Sequence, residues 1–163
     1  MKINTALVQI TEKCNKILTT PCHAVNMRLV RSNEAYRKII VSIIQHMLSV
    51  LCTKFSDYAE LKGISGANVG IPFNIVIVKQ KEGALVMINP EILAKSKETY
   101  KAMSNCGSIN LEKPIEVVRH KEVLVKYTPY ENDTFLSPIE KVFISATIQH
   151  EVEHNLGILI TSK

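Results

Sequence analysis

The chain has 163 residues, 46% of them apolar and 21% charged, which fits one domain with its own core and excludes disordered, fibrous and disulfide-stapled classes. Twenty basic against fifteen acidic residues give a net charge of +5, too dispersed to mark a specific nucleic-acid interface. Trp is absent and aromatics are 6%, so no base-stacking platform is expected.

Met1–Asn4 leads into a mixed segment with Glu12 and Lys13 and no continuous apolar stretch, so the cytoplasm is the expected compartment. Four cysteines (Cys14, Cys22, Cys52 and Cys106) lie far apart without a CxxC pair and are expected as free thiols. The spacing of Ile40, Ile43 or Ile44, Met47, Val50 and Leu51 predicts a helix from Asn33 to about Phe55, with Ser32 or Asn33 as N-cap. His46 falls within it, and a partly exposed or core histidine outweighs a ligand there. The most apolar run, Ile39 to Cys52, contains Ser42, Gln45, His46 and Ser49 and is too short and polar to span a bilayer.

Gly63 to Pro72 holds three glycines and a proline, so the backbone there turns sharply or is approached closely. Two strands are expected at Asn74–Lys79 and Ala84–Ile88, the second closed by Asn89-Pro90. Val117-Val118 and Val123–Tyr127 are again strand-like, followed by a loop over Pro129–Asp133. A final helix is expected from about Lys141 to Asn155, with Gly157 as its C-cap. Two helices with short strands between them read as an α+β fold: a long helix, an antiparallel sheet and a C-terminal helix packed against it. The whole chain, 1–163, is expected to form one domain.

The strongest chemical signal is His150-Glu151-Val152-Glu153-His154, an HExxH pattern. Four residues apart on a helix, His150 and His154 share a face and offer two imidazoles to one metal ion. Glu151 projects beside such a metal, where it can exchange a proton with bound water. A metal site needs a further protein ligand, and no His, Asp, Glu or Cys follows His154. The ligand must then come from upstream, and Cys106, in the turn-prone Ser104–Ser108 segment, is the best candidate.

Together these residues resemble the peptide deformylase family, whose members carry, in order, a GxGLAAxQ segment, an EGCLS segment and a QHExDH helix. Here the matching stretches are Gly63–Pro72, Met87–Ile92, Ser104–Ser108 and Gln149–His154, within a likeness running from about Ile17 to the C-terminus. The resemblance implies a metal-dependent hydrolase that removes the formyl group from N-terminal formyl-methionine of nascent polypeptides. It makes Cys106, His150 and His154 the metal ligands, with ferrous iron the expected metal and zinc, nickel or cobalt alternatives the ligand set also suits. Metal-bound water would attack the formyl carbon, with Glu151 as general base and acid. The oxyanion would meet the metal, the side-chain amide of Asn68 and the backbone N–H of Gly107. Ile64, Ala146 and Thr147 fall where the family lines its methionine pocket. Lys62 and Lys113 could contact the peptide backbone or carboxylate, although solvent-exposed lysines need no such role. Formyl-methionyl peptides are the expected partners, with the ribosome surface a second, and neither a membrane nor a specific nucleic acid is expected. An organellar or viral origin stays open.

The departures from the family pattern concentrate in the site. Asn68 stands where the family has glutamine, which sets its donor back by roughly 1.5 Å; misplacing one oxyanion donor costs about 2.7–4 kcal/mol of barrier. Leu61 stands for the first glycine, Ser65-Gly66 for the alanine pair, Ser104 and Asn105 for the EGCLS glutamate and glycine, and Gly107 for its leucine. Glu153 replaces an aspartate and is expected to pair with Arg119, more tightly because the carboxylate at Ser104 is missing. The alternative function is a metal-binding, deformylase-like paralogue with weak or no formyl hydrolysis, serving as a binding module or acting on another small amide.

Overall fold

The computed structural model describes residues 15–52, 61–106, 108 and 113–162. Two short helices, α1 (Asn15–Thr19) and α2 (Met27–Ser32), precede the long α3 (Glu34–Cys52). Asn33 serves both neighbours: its N–H closes α2 on the Leu29 carbonyl, and its Oδ1 accepts the Tyr36 N–H at 2.9 Å to start α3. Both Ile43 and Ile44 are buried, so the core stripe is wider than one residue per turn. The expected end near Phe55 lies outside the described residues. At 19 residues α3 is long and apolar enough to cross a membrane by length and composition, contrary to the estimate from Ile39–Cys52 alone. Here its apolar stripe is part of the core.

Strands β1 (Gly63–Ser65), β2 (Ile75–Lys79), β3 (Ala84–Lys95), β6 (Val123–Glu131) and β7 (Thr134–Phe135) form an antiparallel sheet in that order, and β8 (Ile139–Phe143) pairs with β6. β4 (Thr99–Ser104) and β5 (Ile115–His120) make a separate antiparallel pair. The sheet is covered on both faces. Ile75 and Ile77 of β2 join the core of α3, whereas Val76 and Val78 meet Ile148 and Val152 of α4 (Ala146–Asn155). A strand buried on both sides reads as an unbroken apolar run, which is what Ile75–Val78 is.

Three expected boundaries move. Asn89-Pro90 does not close β3: Asn89 takes a left-handed φ of 52° and forms a bulge where the register with β6 shifts between Ile88 and Glu91. Its carboxamide makes up for the strain by accepting the Val25 N–H at 2.7 Å and donating to the Val25 carbonyl at 2.9 Å. The loop expected over Pro129–Asp133 shrinks to Asn132-Asp133, both at positive φ, the two-residue hairpin turn that suits right-twisted strands. The last helix starts at Ala146, not Lys141, because Lys141–Phe143 pair with β6 and leave Val142 exposed. Ser145 caps it, its Oγ accepting the Ile148 N–H. At the other end Gly157, at φ 74°, closes a double bond pattern, Gly157 N–H to His154 and Ile158 N–H to Glu153.

Candidate active site

α4 is held in place by its own polar side chains. The Gln149 carboxamide grips the His120 backbone twice, accepting its N–H at 3.0 Å and donating to its carbonyl at 2.7 Å. Asn155 Nδ2 donates to Asn74 Oδ1 and to the Ile75 carbonyl, both at 3.0 Å. Neither anchor was assigned from sequence, since polar residues beside an HExxH pattern give no sign of which distant backbone they meet.

So fixed, α4 turns His150 and His154 toward Cys106, which reaches the helix from the segment after β4. Cys106 Sγ lies 3.2 Å from His154 Nε2, and the two Nε2 atoms lie 3.1 Å apart. All three donor atoms fall within 4.8 Å of one another. Tetrahedral coordination at ordinary metal–sulfur and metal–nitrogen lengths separates ligands by about 3.3 to 3.6 Å, so a small expansion admits an ion. The donor chemistry also fits, because three lone-pair atoms converging in the interior can share few protons among themselves, and a cation satisfies them all. Burial pushes the His154 ring down to about 4, with Glu153 opposing and Arg119 assisting, so at neutral pH the imidazole is in its ligand form.

Glu151 is 4% exposed, and its Oε2 has no hydrogen-bond partner among the described residues. Burial pushes its carboxyl up to about 8, against a weaker downward pull from Arg119. Gly63 makes this placement possible: a Cβ there would stand 2.9 Å from Glu151 Cγ and 2.8 Å from Thr147 Cγ2. The expected pairing of Arg119 with Glu153 is present, Nη1 donating to Oε2 at 2.6 Å. Arg119 Nη2 also comes to 3.5 Å from His150 Nδ1, too long for a firm bond.

These groups share a cleft of about 460 Å³. Ile64, Asn68, Cys106, Ala146, Thr147, His150 and Glu151 all line it, as do Lys62 and the substituted Ser104 and Asn105. His154 is fully buried behind them. Gly107 lies outside the described residues, and Lys113 is exposed away from the lining. Met103 of β4, 68% exposed at the rim, was missed, because a strand as polar as Thr99–Ser104 carries little apolar alternation.

Asn68 has a more elaborate setting than a simple donor. Its Oδ1 accepts from the Ser65 N–H at 2.8 Å and the Ser65 hydroxyl at 2.6 Å, while its Nδ2 donates to Ser108 Oγ at 2.9 Å.

The family model for polypeptide deformylase matches residues 7–163. The chain belongs to the polypeptide deformylase family. It is 26% identical over 160 residues to peptide deformylase 1 of Bacillus cereus, covering 97% of this chain and 92% of that protein. Against peptide deformylase 1 of Clostridium acetobutylicum it is 30% identical over 133 residues, 82% of this chain and 83% of that one. Among solved structures, the Met-Ala-Ser-bound class I type b peptide deformylase from Acinetobacter baumannii superposes with a TM-score of 0.78 at 25% identity, covering 99% of this chain and 98% of that one. The family is metal-dependent, and among the described residues of this chain Cys106, His150 and His154 form a group that could hold the ion.

Proposed function

We propose that this chain removes the formyl group from N-terminal formyl-methionine of newly made peptides. The observation that carries the reading is the convergence of Cys106, His150 and His154 beside buried Glu151 in one cleft. These three side chains would hold one divalent cation, ferrous iron first, with zinc, nickel or cobalt also suited to a thiolate and two imidazoles. When bound, such an ion supplies Lewis-acid polarisation of the formyl oxygen and acidifies a water molecule.

Glu151 is the general base and then the general acid: it takes a proton from the attacking water and returns it to the departing amine. Its carboxyl, raised toward neutrality, suits both directions of transfer. Asn68, with the backbone N–H of Gly107, donates to the oxyanion as it forms. Ile64, Ala146 and Thr147 form the wall against the methionine side chain, and Lys62 at the cleft mouth meets the rest of the peptide. The net charge of +5 is compatible with work close to the ribosome surface. A module that only bound metal would have no use for a carboxyl buried at Glu151.

Release of formate from formyl-Met-Ala-Ser by cation-loaded protein, with acetyl-Met-Ala-Ser alongside, tests the reading. Hydrolysis of the formyl peptide at a rate well above that of the acetyl peptide is expected. Loaded protein that releases no formate would overturn it.

A further inference from the structure

The Ser65–Asn68–Ser108 cluster stands out because all three residues are buried, Ser65 and Ser108 completely, yet only Asn68 of Ser65 and Asn68 faces the cleft. We propose that Ser65 is a positioning residue that locks the Asn68 carboxamide in one orientation and so makes this shorter side chain an effective oxyanion donor. The inference rests on the deformylase reading above and specifies how its oxyanion site works.

A backbone N–H only donates, so the atom meeting the Ser65 N–H must be the carboxamide oxygen of Asn68. Nδ2 is then forced to the opposite side, where it donates to Ser108 Oγ. The Ser65 hydroxyl adds a second bond to the same oxygen at 2.6 Å, the shorter of the two. A planar amide held at its oxygen by two donors and at its nitrogen by one acceptor has no freedom left to flip or swing. The direction of the second N–H of Nδ2 is therefore set, and that N–H has no protein partner among the described residues. An oxyanion donor works by being in place before charge develops, since reorganisation during the reaction forfeits the gain. Asparagine also has one rotatable bond fewer than glutamine, so a clamp at Ser65 leaves less motion to suppress than a longer side chain would. Three residues apart, with Asn68 inside the short helical turn Ala67–Val69, Ser65 and Asn68 form the clamp within one short segment. Ser108 supplies the only long-range member.

Ser65→Ala tests this, because it deletes the hydroxyl bond and keeps the backbone bond. Loaded with cobalt and assayed on formyl-Met-Ala-Ser, the variant is expected to lose roughly tenfold in kcat, the worth of one buried hydrogen bond, with KM changing little. In an Asn68→Ala background, adding Ser65→Ala should lower kcat no further, because Ser65 acts only through the amide it holds. Equal losses in both backgrounds, or a loss confined to KM, would overturn the proposal. An independent readout is the Asn68 side-chain amide pair in a nitrogen–proton NMR spectrum, assigned by its disappearance in Asn68→Ala. It should be sharp and dispersed in the wild type and shifted and broadened in Ser65→Ala, where one of the three bonds to the carboxamide is lost; an unchanged pair would also overturn the clamp. A wild type that hydrolyses nothing would sink the deformylase reading and the catalytic role together, while the NMR comparison would still decide whether the clamp exists.

Discussion

Arg119 is 1% exposed, and its guanidinium donates to Glu153 Oε2 at 2.6 Å, tying β5 to the helix that carries both histidines. Breaking a buried pair from one side leaves the partner uncompensated, at a cost of about 3–5 kcal/mol. Arg119→Ala and Glu153→Ala should each weaken cation binding by about 10- to 100-fold, as expected when support around metal ligands is lost. The double variant should bind better than the sum of the two losses implies. Zinc titration of all three variants measures the coupling; strictly additive losses would mean the pair does not act as a unit.

Gly63→Ala inserts a methyl group against the Glu151 and Thr147 side chains. Overpacking of this kind costs about 1–3 kcal/mol, and here the pressure falls on Glu151, the proposed general base. Formate release should drop at least about tenfold while zinc affinity stays within a few-fold, because the atoms nearest the added methyl belong to Thr147 and Glu151 and not to the three donor residues. Comparable losses in both would show that the whole helix has shifted.

Among the described residues, Cys22, Cys52 and Cys106 form no disulfide and sit in three different settings, half-buried, exposed and buried. Burial pushes Cys22 up to about 11, with a backbone hydrogen bond from Ala67 opposing. Because this folded value lies above the ordinary 9.0, the neutral thiol stabilises the fold fully below about pH 9, and that contribution fades as the pH rises toward 11. Cys22→Ser should flatten the fall in melting temperature between those limits. At pH 8, peptide mapping after iodoacetamide should find Cys52 modified before Cys22. Cys106 should react only when the cation has been removed, because the bound ion ties up its sulfur.

Asn89 holds a positive φ and two hydrogen bonds to Val25 at once. Asn89→Ala loses both bonds and is also strained in that conformation, so it should cost about 2–4 kcal/mol in urea unfolding. Asn89→Gly relieves the strain but not the lost bonds, and should cost less. Equal costs would place the whole effect in the hydrogen bonds.

Much of this architecture is legible without coordinates. The stripe of α3, the unbroken apolar β2 and the His150–His154 spacing are local patterns, and local patterns survive folding. The N-cap at Asn33 and the closing glycine at Gly157 belong to the same class, since each depends only on neighbours within one turn. What escaped depends on distant partners. The sequence marks no break between β8 and α4, because Val142 continues an apparent helical stripe; pairing with β6 makes it an exposed strand residue. β4 is too polar to announce itself and forms because β5 lies beside it. The grip of Gln149 on His120, 29 residues away, and of Asn68 on Ser108, 40 residues away, has no local signature at all. Resemblance placed Asn68 in the cleft, but the bonds that hold its amide become visible only in three dimensions.

The central claim is that Glu151 performs proton transfer beside a cation held by Cys106, His150 and His154. Its most direct test is formate release from formyl-Met-Ala-Ser by protein purified without oxygen and loaded with ferrous iron or cobalt, with Glu151→Ala measured beside it and metal content determined in both. The account predicts turnover by the wild type, and a variant that keeps its metal and loses at least about a hundredfold in kcat. A fully loaded wild type without turnover, or a Glu151→Ala variant as active as the wild type, would contradict it.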